Sequence, residues 1–136
     1  MKVFLDTNVL IDFMAERQGY PAAAALFELA ANRKLELTYS ALTVANAFYI
    51  LRKQYTDKEL AEAFEMQQSV AEICGVSSQD VNLALKDRWA DGEDAIQYRS
   101  ALSSHADVIL TNNTSDFQKS TLAVMSPEGF LDKYFA

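Results

Sequence analysis

Three acidic side chains stand where carboxylates commonly take part in metal or phosphate chemistry. Asp6 directly follows the strand-type run KVFL, Asp94 lies in the acidic start DGED of a predicted helix, and Asp116 lies in a polar loop after the apolar run DVILT. Carboxylate oxygens are preferred ligands of hard divalent cations such as Mg²⁺. The chemistry open to these residues therefore depends on whether the fold brings them together.

Strand-type and helix-type segments alternate along the chain. The hydrophobic pattern predicts strands over residues 2–5, 35–40, 107–111 and 122–125. It predicts helices over residues 9–16, 21–34, 41–55, 57–74, 77–86, 91–106 and 126–135. This alternation predicts an α/β fold, a three-layer α/β/α sandwich with a central parallel sheet, built as a single domain over residues 1–136.

The predicted topology brings the acids towards one edge of the sheet. Asp6 ends one strand and the loop with Asp116 follows another, and the carboxyl ends of parallel strands form the edge where such sheets bind ligands. Asp94 shares a helix face with Tyr98 and Ala101, which predicts that it faces the sheet. A carboxylate on that face is costly unless it is paired or bound to a metal ion.

Each acidic position also has a purely structural interpretation. Asp6 is equally typical of a helix N-cap. Asp91 and Glu93 fit capping and the helix dipole better than chemistry, whereas function is slightly favoured at Asp94. The Asn-, Ser- and Asp-rich loop around Asp116 is, taken alone, typical of a turn.

Asn46 is a candidate functional residue of a second kind, because it is a polar residue in a very apolar predicted helix. Between Ala41 and Leu51 only Thr43 and Asn46 are polar, and a helix that is apolar nearly all round is a buried one. We therefore expect Asn46 to be a buried amide on an internal face, with hydrogen-bonding partners. The helix alone leaves open whether that role is structural or belongs to a pocket.

Composition limits the classes of function. The formal net charge of −7, from 12 Lys and Arg against 19 Asp and Glu, disfavours a nucleic-acid binder unless divalent cations neutralise part of the acidic charge. The single cysteine, Cys74, excludes an intrachain disulfide and suits a reducing cytoplasm. No secretory signal and no run of about 20 apolar residues is found, so we expect a cytoplasmic protein without a membrane span.

Four motifs in order resemble the PIN domain, and within it the small VapC-type toxin ribonucleases. They are FLDTNVLID, DAIQYRSAL, ILTNNTSDF and VMSPEGFL. The resemblance implies an endoribonuclease dependent on Mg²⁺ or Mn²⁺ that cleaves RNA phosphodiesters. By position, Asp6 is the first metal-binding acid, Asp94 the third, and Asp116 the nearest match to the last. It further implies the toxin half of a toxin–antitoxin pair, a homodimer, and a small antitoxin protein as partner.

Two positions depart from the pattern of that family. Asn46 stands where the family usually has a glutamate, and Asn113 stands where many relatives have an aspartate, so that Asp116 must act alone. Loss of anionic ligands predicts weaker metal affinity, and a glutamate at position 46 is expected to raise it. The alternative is a catalytically weakened PIN-like module that binds RNA or protein without cleaving.

A third hypothesis is phosphoryl transfer through an aspartyl phosphate at Asp6. A strand that ends in Asp-Thr is similar to the haloacid dehalogenase phosphatases. Those enzymes carry a second aspartate two residues later, and Asn8 stands there in this sequence. Without a general acid at that position, this hypothesis is disfavoured.

Overall fold

A five-stranded parallel sheet forms the centre of the protein, as seen in a computed structural model that describes all 136 residues. Its strands are β1 (Lys2–Leu5), β2 (Glu36–Ser40), β3 (Ala71–Cys74), β4 (Val108–Leu110) and β5 (Ala123–Met125). They lie in the order β3-β2-β1-β4-β5, and every neighbouring pair is parallel. The central strand is therefore β1, whose carboxyl end leads directly to Asp6.

Seven helices cover the sheet. They are α1 (Thr7–Met14), α2 (Tyr20–Ala31), α3 (Ala41–Ile50), α4 (Asp57–Gln67), α5 (Ser78–Asp87), α6 (Gly92–Ser103) and α7 (Pro127–Phe135). A short 3₁₀ turn, Thr114–Phe117, follows β4.

Alternate side chains of β1 define the three layers. Val3 and Leu5 belong to the core under α1, α2, α3, α4 and α7, whereas Phe4 enters the core on the opposite face, against α6. Successive residues of a strand point to opposite faces, which explains this division. The predicted three-layer α/β/α sandwich with a parallel sheet is confirmed.

The predicted helix over 57–74 is wrong beyond residue 67. The helix ends at Gln67, and Ala71–Cys74 forms the edge strand β3, paired with residues 37–40 of β2. Val70, which precedes this strand, and Ile73 within it are three residues apart, and this helix-like spacing led to the prediction of a continuous helix. The structure uses this segment to cover the backbone edge that β2 would otherwise expose.

The expectation that α3 is buried on all sides is also wrong. Thr43 and Ala47 are buried, but Tyr49 is 67% exposed and Ile50 41% exposed. Asn46 is half-buried, and because Tyr49 and Ile50 are exposed, it does not share an internal face with Tyr49 and Ile50. The apolar residues of α3 thus serve two surfaces, one on the sheet and one facing outwards.

None of the helices has the length and apolar character that crossing a membrane requires. The longest helices, α2 and α6, have 12 residues each, and a span needs about 20.

Candidate active site at the carboxyl edge of the sheet

Asp6 stands at the middle of the carboxyl edge, where β1 leads into α1. Its carboxylate accepts hydrogen bonds from the backbone N–H of Thr7 at 2.9 Å, from Thr111 Oγ1 at 2.8 Å and from Asn8 Nδ2 at 3.2 Å. The residue is 6% exposed. It is the N-cap of α1, as the structural interpretation predicts, and it also lines a surface cavity.

Asp94 reaches the same cavity from the first turn of α6. That helix begins after Asp91, whose Oδ1 accepts from the backbone N–H of Asp94 at 3.1 Å, as the capping interpretation of Asp91 predicts. The cavity measures about 240 Å³ and lies between α1, α3 and α6. Its acidic lining consists of Asp6, Asp12, Glu93 and Asp94.

Asp116 approaches from the other side, on the 3₁₀ turn after β4. It is exposed and lines a neighbouring cavity together with Asp91 and Trp89. The loop before it is fixed to α1, because Asn112 Nδ2 donates to Asp12 Oδ2 at 2.8 Å and the backbone N–H of Asn112 donates to Asn8 Oδ1 at 3.2 Å. The polar residues of this loop thus tie it to the edge that carries Asp6.

The backbone of Asn113 belongs to the same arrangement. Its N–H donates to Thr111 Oγ1 at 3.1 Å, and Thr111 in turn donates to Asp6. The side chain of Asn113 is exposed. Asn113 therefore contributes to the support of Asp6 through its main chain.

The acids are close enough to perturb one another. Burial raises the pKa of Asp94 to about 7, and repulsion from Asp6, Asp91, Asp116 and Glu93 adds to that effect. Burial also raises the pKa of Asp6, with Glu93 and Asp116 adding to the rise and the hydrogen bonds from Thr111 and Thr7 opposing it. A site of mutually repelling carboxylates favours a bound cation.

The donor set fits a hard divalent cation by its chemistry. The oxygen donors at this edge are carboxylate, hydroxyl and amide groups, which suit Mg²⁺ or Mn²⁺. No three acidic side chains stand at the mutual spacing of metal ligands. A shared ion would therefore have to draw these side chains together.

Glu93 is a member of this site that the sequence interpretation placed outside it. It lines the cavity with Asp6 and Asp94, and its Oε1 accepts from Asn46 Nδ2 at 2.7 Å. The sequence offers one signal, since the polar positions Thr43 and Asn46 of an otherwise apolar helix require polar partners elsewhere. That signal does not say which helix supplies them.

A buried polar network lies beneath the cavity. Gln97 Nε2 donates to Thr43 Oγ1 at 2.7 Å and to Thr7 Oγ1 at 3.0 Å, while Ser40 Oγ donates to Gln97 Oε1 at 2.6 Å. All four side chains are buried, and no buried side-chain polar atom in the protein lacks a partner. Fully satisfied networks of this kind fix the elements that carry them.

An α/β/α sandwich with carboxylates gathered at the end of its central strand defines the class of the fold. Residues 2–115 match the PIN domain family, and the chain therefore belongs to that family. Ribonuclease VapC1 of Aquifex aeolicus (strain VF5) is 26% identical over 139 residues, which cover 98% of this chain and 95% of the relative.

Solved structures share this fold. A toxin–antitoxin complex from Klebsiella pneumoniae contains a chain similar to this one with a TM-score of 0.65 and 24% identity, over 92% of this chain and 97% of the other. VapBC2 from Rickettsia felis, bound to a DNA fragment from its promoter, gives a TM-score of 0.64 and 19% identity over 93% and 98%. The solved structures share the fold, and the match to the PIN domain family together with the similarity to a VapC ribonuclease confirms the resemblance found in the sequence.

Proposed function

We propose that this protein is a divalent-metal-dependent endoribonuclease and the toxin component of a toxin–antitoxin pair. The observation that carries the proposal is the gathering of carboxylates at the end of β1, where burial and repulsion from Asp6, Asp116 and Glu93 raise the pKa of Asp94. Membership of the PIN domain family and similarity to a VapC ribonuclease support the reaction type.

Asp6, Asp94 and Asp116 are the residues proposed to hold Mg²⁺ or Mn²⁺. Such an ion lowers the pKa of a bound water and offsets negative charge on a phosphodiester. The protein contributes orientation, because Thr111 Oγ1 and the backbone N–H of Thr7 fix both oxygens of the Asp6 carboxylate. Fixed donors around a ligating carboxylate keep its geometry from relaxing.

Arg17 is the residue proposed to meet the RNA backbone. It is the one cationic side chain that lines the acidic cavity, and it makes no ion pair within 4.0 Å. A guanidinium recognises phosphate oxygens in a bidentate manner. In a chain with a net charge of −7, a local cation beside the carboxylates gives the substrate phosphate a defined position.

Cleavage of single-stranded RNA tests the reaction directly. We expect wild-type protein to cleave with Mn²⁺ and to lose cleavage with EDTA, and Asp6→Asn to cleave at least ~100-fold more slowly because a metal ligand is lost. Glu62→Gln, which changes an exposed acid of α4, is the matched control and should cleave as wild type. Equal cleavage by wild type and Asp6→Asn, or none by either, would contradict the proposal.

An antitoxin is the partner proposed for a groove between α1, α2 and α4. The groove has a volume of about 620 Å³ and a mostly apolar lining that includes Phe13, Met14, Phe27, Leu60 and Met66. Similar chains have been solved in toxin–antitoxin complexes. An amphipathic segment fits such a groove, and basic side chains on it would meet the acidic cavity.

A substitution in the groove that abolishes the complex with the antitoxin would test this proposed binding site. We expect Met66→Lys to abolish co-purification with the cognate antitoxin without altering RNA cleavage, since Met66 is 76% exposed in the lining. Leu85→Lys is a suitable control, because Leu85 is 61% exposed on α5, outside the groove. Antitoxin binding that survives Met66→Lys and fails in Leu85→Lys would place the partner elsewhere.

The exposed end of α3 is proposed as the surface of a homodimer. Tyr49 and Ile50 are exposed there, and the Arg52 guanidinium lies 4.0 Å from the centre of the Tyr49 ring. Aromatic and arginine side chains are enriched in protein interfaces. Sedimentation analysis should show a dimer in the wild type and a monomer in Ile50→Lys.

A PIN-like module that binds without cleaving is the second candidate function. The observation in its favour is that Asn46 is an amide and that no three acids stand at ligand spacing. Metal titration separates the two functions. Saturable Mn²⁺ binding below millimolar concentrations supports the nuclease, and its absence supports the non-cleaving module.

A further inference from the structure

A hydrogen bond joins the side chains of Asn46 in α3 and Glu93 in α6. Asn46 Nδ2 donates to Glu93 Oε1 at 2.7 Å, and the same nitrogen lies 3.5 Å from Thr7 Oγ1. An amide N–H₂ is a donor without charge. The Asn46 amide can therefore hold a carboxylate while adding no negative charge to a site that already contains several carboxylates.

Glu93, rather than Asn46, forms part of the wall of the acidic cavity. Glu93 lines it together with Asp6 and Asp94, whereas Asn46 is not in contact with it. The negative charge of Glu93 is also felt by both of those acids. The side chain of Glu93 is thus part of the acidic lining, and the amide of Asn46 holds it there through their hydrogen bond.

The alignment of the two residues is set by the buried network one turn below. Thr43 precedes Asn46 by three residues and Gln97 follows Glu93 by four, so each pair lies on one helix face. Gln97 Nε2 donates to Thr43 Oγ1 at 2.7 Å, and both residues are fully buried. This buried contact fixes the spacing of α3 and α6, which gives the more exposed contact above it a defined geometry.

We propose that Glu93 is a further oxygen donor for the divalent ion and that Asn46 is the positioning residue that aims it. The proposal rests on the proposed metal-dependent function. It assigns the anionic donor between α3 and α6 to Glu93, with the amide at position 46 as its partner. A glutamate at position 46 would then meet Glu93 as a like charge.

A double-mutant cycle on Mn²⁺ affinity, measured by calorimetry, tests this assignment. Glu93→Gln should weaken Mn²⁺ binding about tenfold, and Asn46→Ala should weaken it by a similar factor because supporting residues of metal ligands carry such effects. In the Glu93→Gln background, Asn46→Ala should cause no further loss, since there is no carboxylate left to aim. Glu62→Gln, which changes an exposed acid of α4, should bind as wild type.

A second measurement does not depend on metal. Without divalent ions, Asn46→Glu should lower the melting temperature by about 2–4 °C because two carboxylates then face each other. The loss should disappear when Asn46→Glu is combined with Glu93→Gln, since the amide introduced at position 93 can donate to the carboxylate introduced at position 46. The double variant retains a hydrogen bond at the contact, so the comparison stays valid if Asn46→Ala folds poorly.

The outcomes separate this inference from the proposed function. Wild-type Mn²⁺ affinity in Glu93→Gln, or equal losses from Asn46→Ala in both backgrounds, would overturn the positioning role while Asp6→Asn still tests the nuclease. No saturable Mn²⁺ binding by the wild type would overturn both. A non-additive cycle, together with recovery of the melting temperature in the double variant, is the expected result.

Discussion

Asp6 and Asp80 are both buried carboxylates, but their surroundings differ in the sign of the nearby charge. Asp80 is 4% exposed and Asp6 is 6% exposed. The carboxylate of Asp80 accepts from the backbone N–H of Ser77 in a capping box and from Ser103 Oγ, which joins α5 to α6. The nearby charged groups include Arg99, which forms an ion pair with Asp87 and whose pKa is raised by Asp87 first and, after Tyr98, by Asp80.

Asp6 has equally good hydrogen bonds but faces acids. Thr7 and Thr111 donate to it, while burial raises its pKa and the charges of Glu93 and Asp116 add to that rise. Burial and satisfied hydrogen bonds are therefore common to a structural carboxylate and to a candidate ligand. The difference lies in uncompensated negative charge, which a fold retains at a cost in stability and which marks functional sites.

The largest expected difference between the two regions is in catalysis. Asp94→Asn should lower RNA cleavage at least ~100-fold because it removes a proposed metal ligand. Asp80→Asn should leave cleavage unchanged, since Asp80 lies at the contact of α5 with α6 and does not line the acidic cavity. Gel analysis of RNA cleavage at saturating Mn²⁺ measures both. If folded Asp80→Asn protein lost cleavage, the proposed difference in function between the Asp6 and Asp80 regions would be contradicted.

The effect on folding stability should be the reverse, with a larger loss at Asp80 than at Asp6. Asp80→Ala should lower the free energy of unfolding by about 2 kcal/mol, because it removes the Asp80 half of the capping box and the hydrogen bond from Ser103 that joins α5 to α6. Asp6→Asn should cost much less, since the lost hydrogen-bond strength is offset by relief of repulsion from neighbouring acids. Denaturant unfolding without metal compares the two variants. Equal losses would show that Asp6 is as structural as Asp80.

The pH dependence of stability gives a smaller effect with a defined sign. The pKa of Asp94 is raised to about 7 in the folded protein, above the value of about 3.9 for an unfolded chain. The folded state therefore binds this proton more tightly, and stability falls as pH rises from about 4 to about 7. Asp94→Asn removes that loss.

We expect Asp94→Asn to melt about 4–8 °C higher than wild type at pH 8 in EDTA, which corresponds to about 1–2 kcal/mol after allowance for solvent screening. At pH 4 the difference should vanish. Asp57→Asn, which changes an exposed acid in the first turn of α4, controls for the helix dipole. A pH-independent gain, or the same gain in Asp57→Asn, would contradict the repulsion among the acids.

The parts of the fold that the sequence predicts are those with strong local signals. β4 and, after Lys2, β1 are apolar runs, and α7 has Ser126 as its N-cap and Pro127 as its first residue, which form a typical helix start. Because parallel strands share an edge, placing Asp6 and the loop with Asp116 at that edge required only the order of the elements.

The features that the sequence does not predict depend on contacts between elements. Strand β3 exists because β2 offers an edge to pair with, while the spacing of its apolar residues also suits a helix. Which side of α3 faces solvent is decided by the helices packed against it. The contact between Asn46 and Glu93 depends on the register of α3 against α6, which Gln97 sets from within the core.

Mn²⁺ binding to the wild type, Asp6→Asn and Asp80→Asn, measured by calorimetry near neutral pH, tests the central claim most directly. The claim is that the carboxylates at the end of β1 are arranged for a cation and that the buried carboxylate of α5 is not. We predict saturable binding below millimolar Mn²⁺ in the wild type and in Asp80→Asn, and binding at least ~10-fold weaker in Asp6→Asn. Equal affinities in all three proteins, or no saturable binding in the wild type, would contradict it.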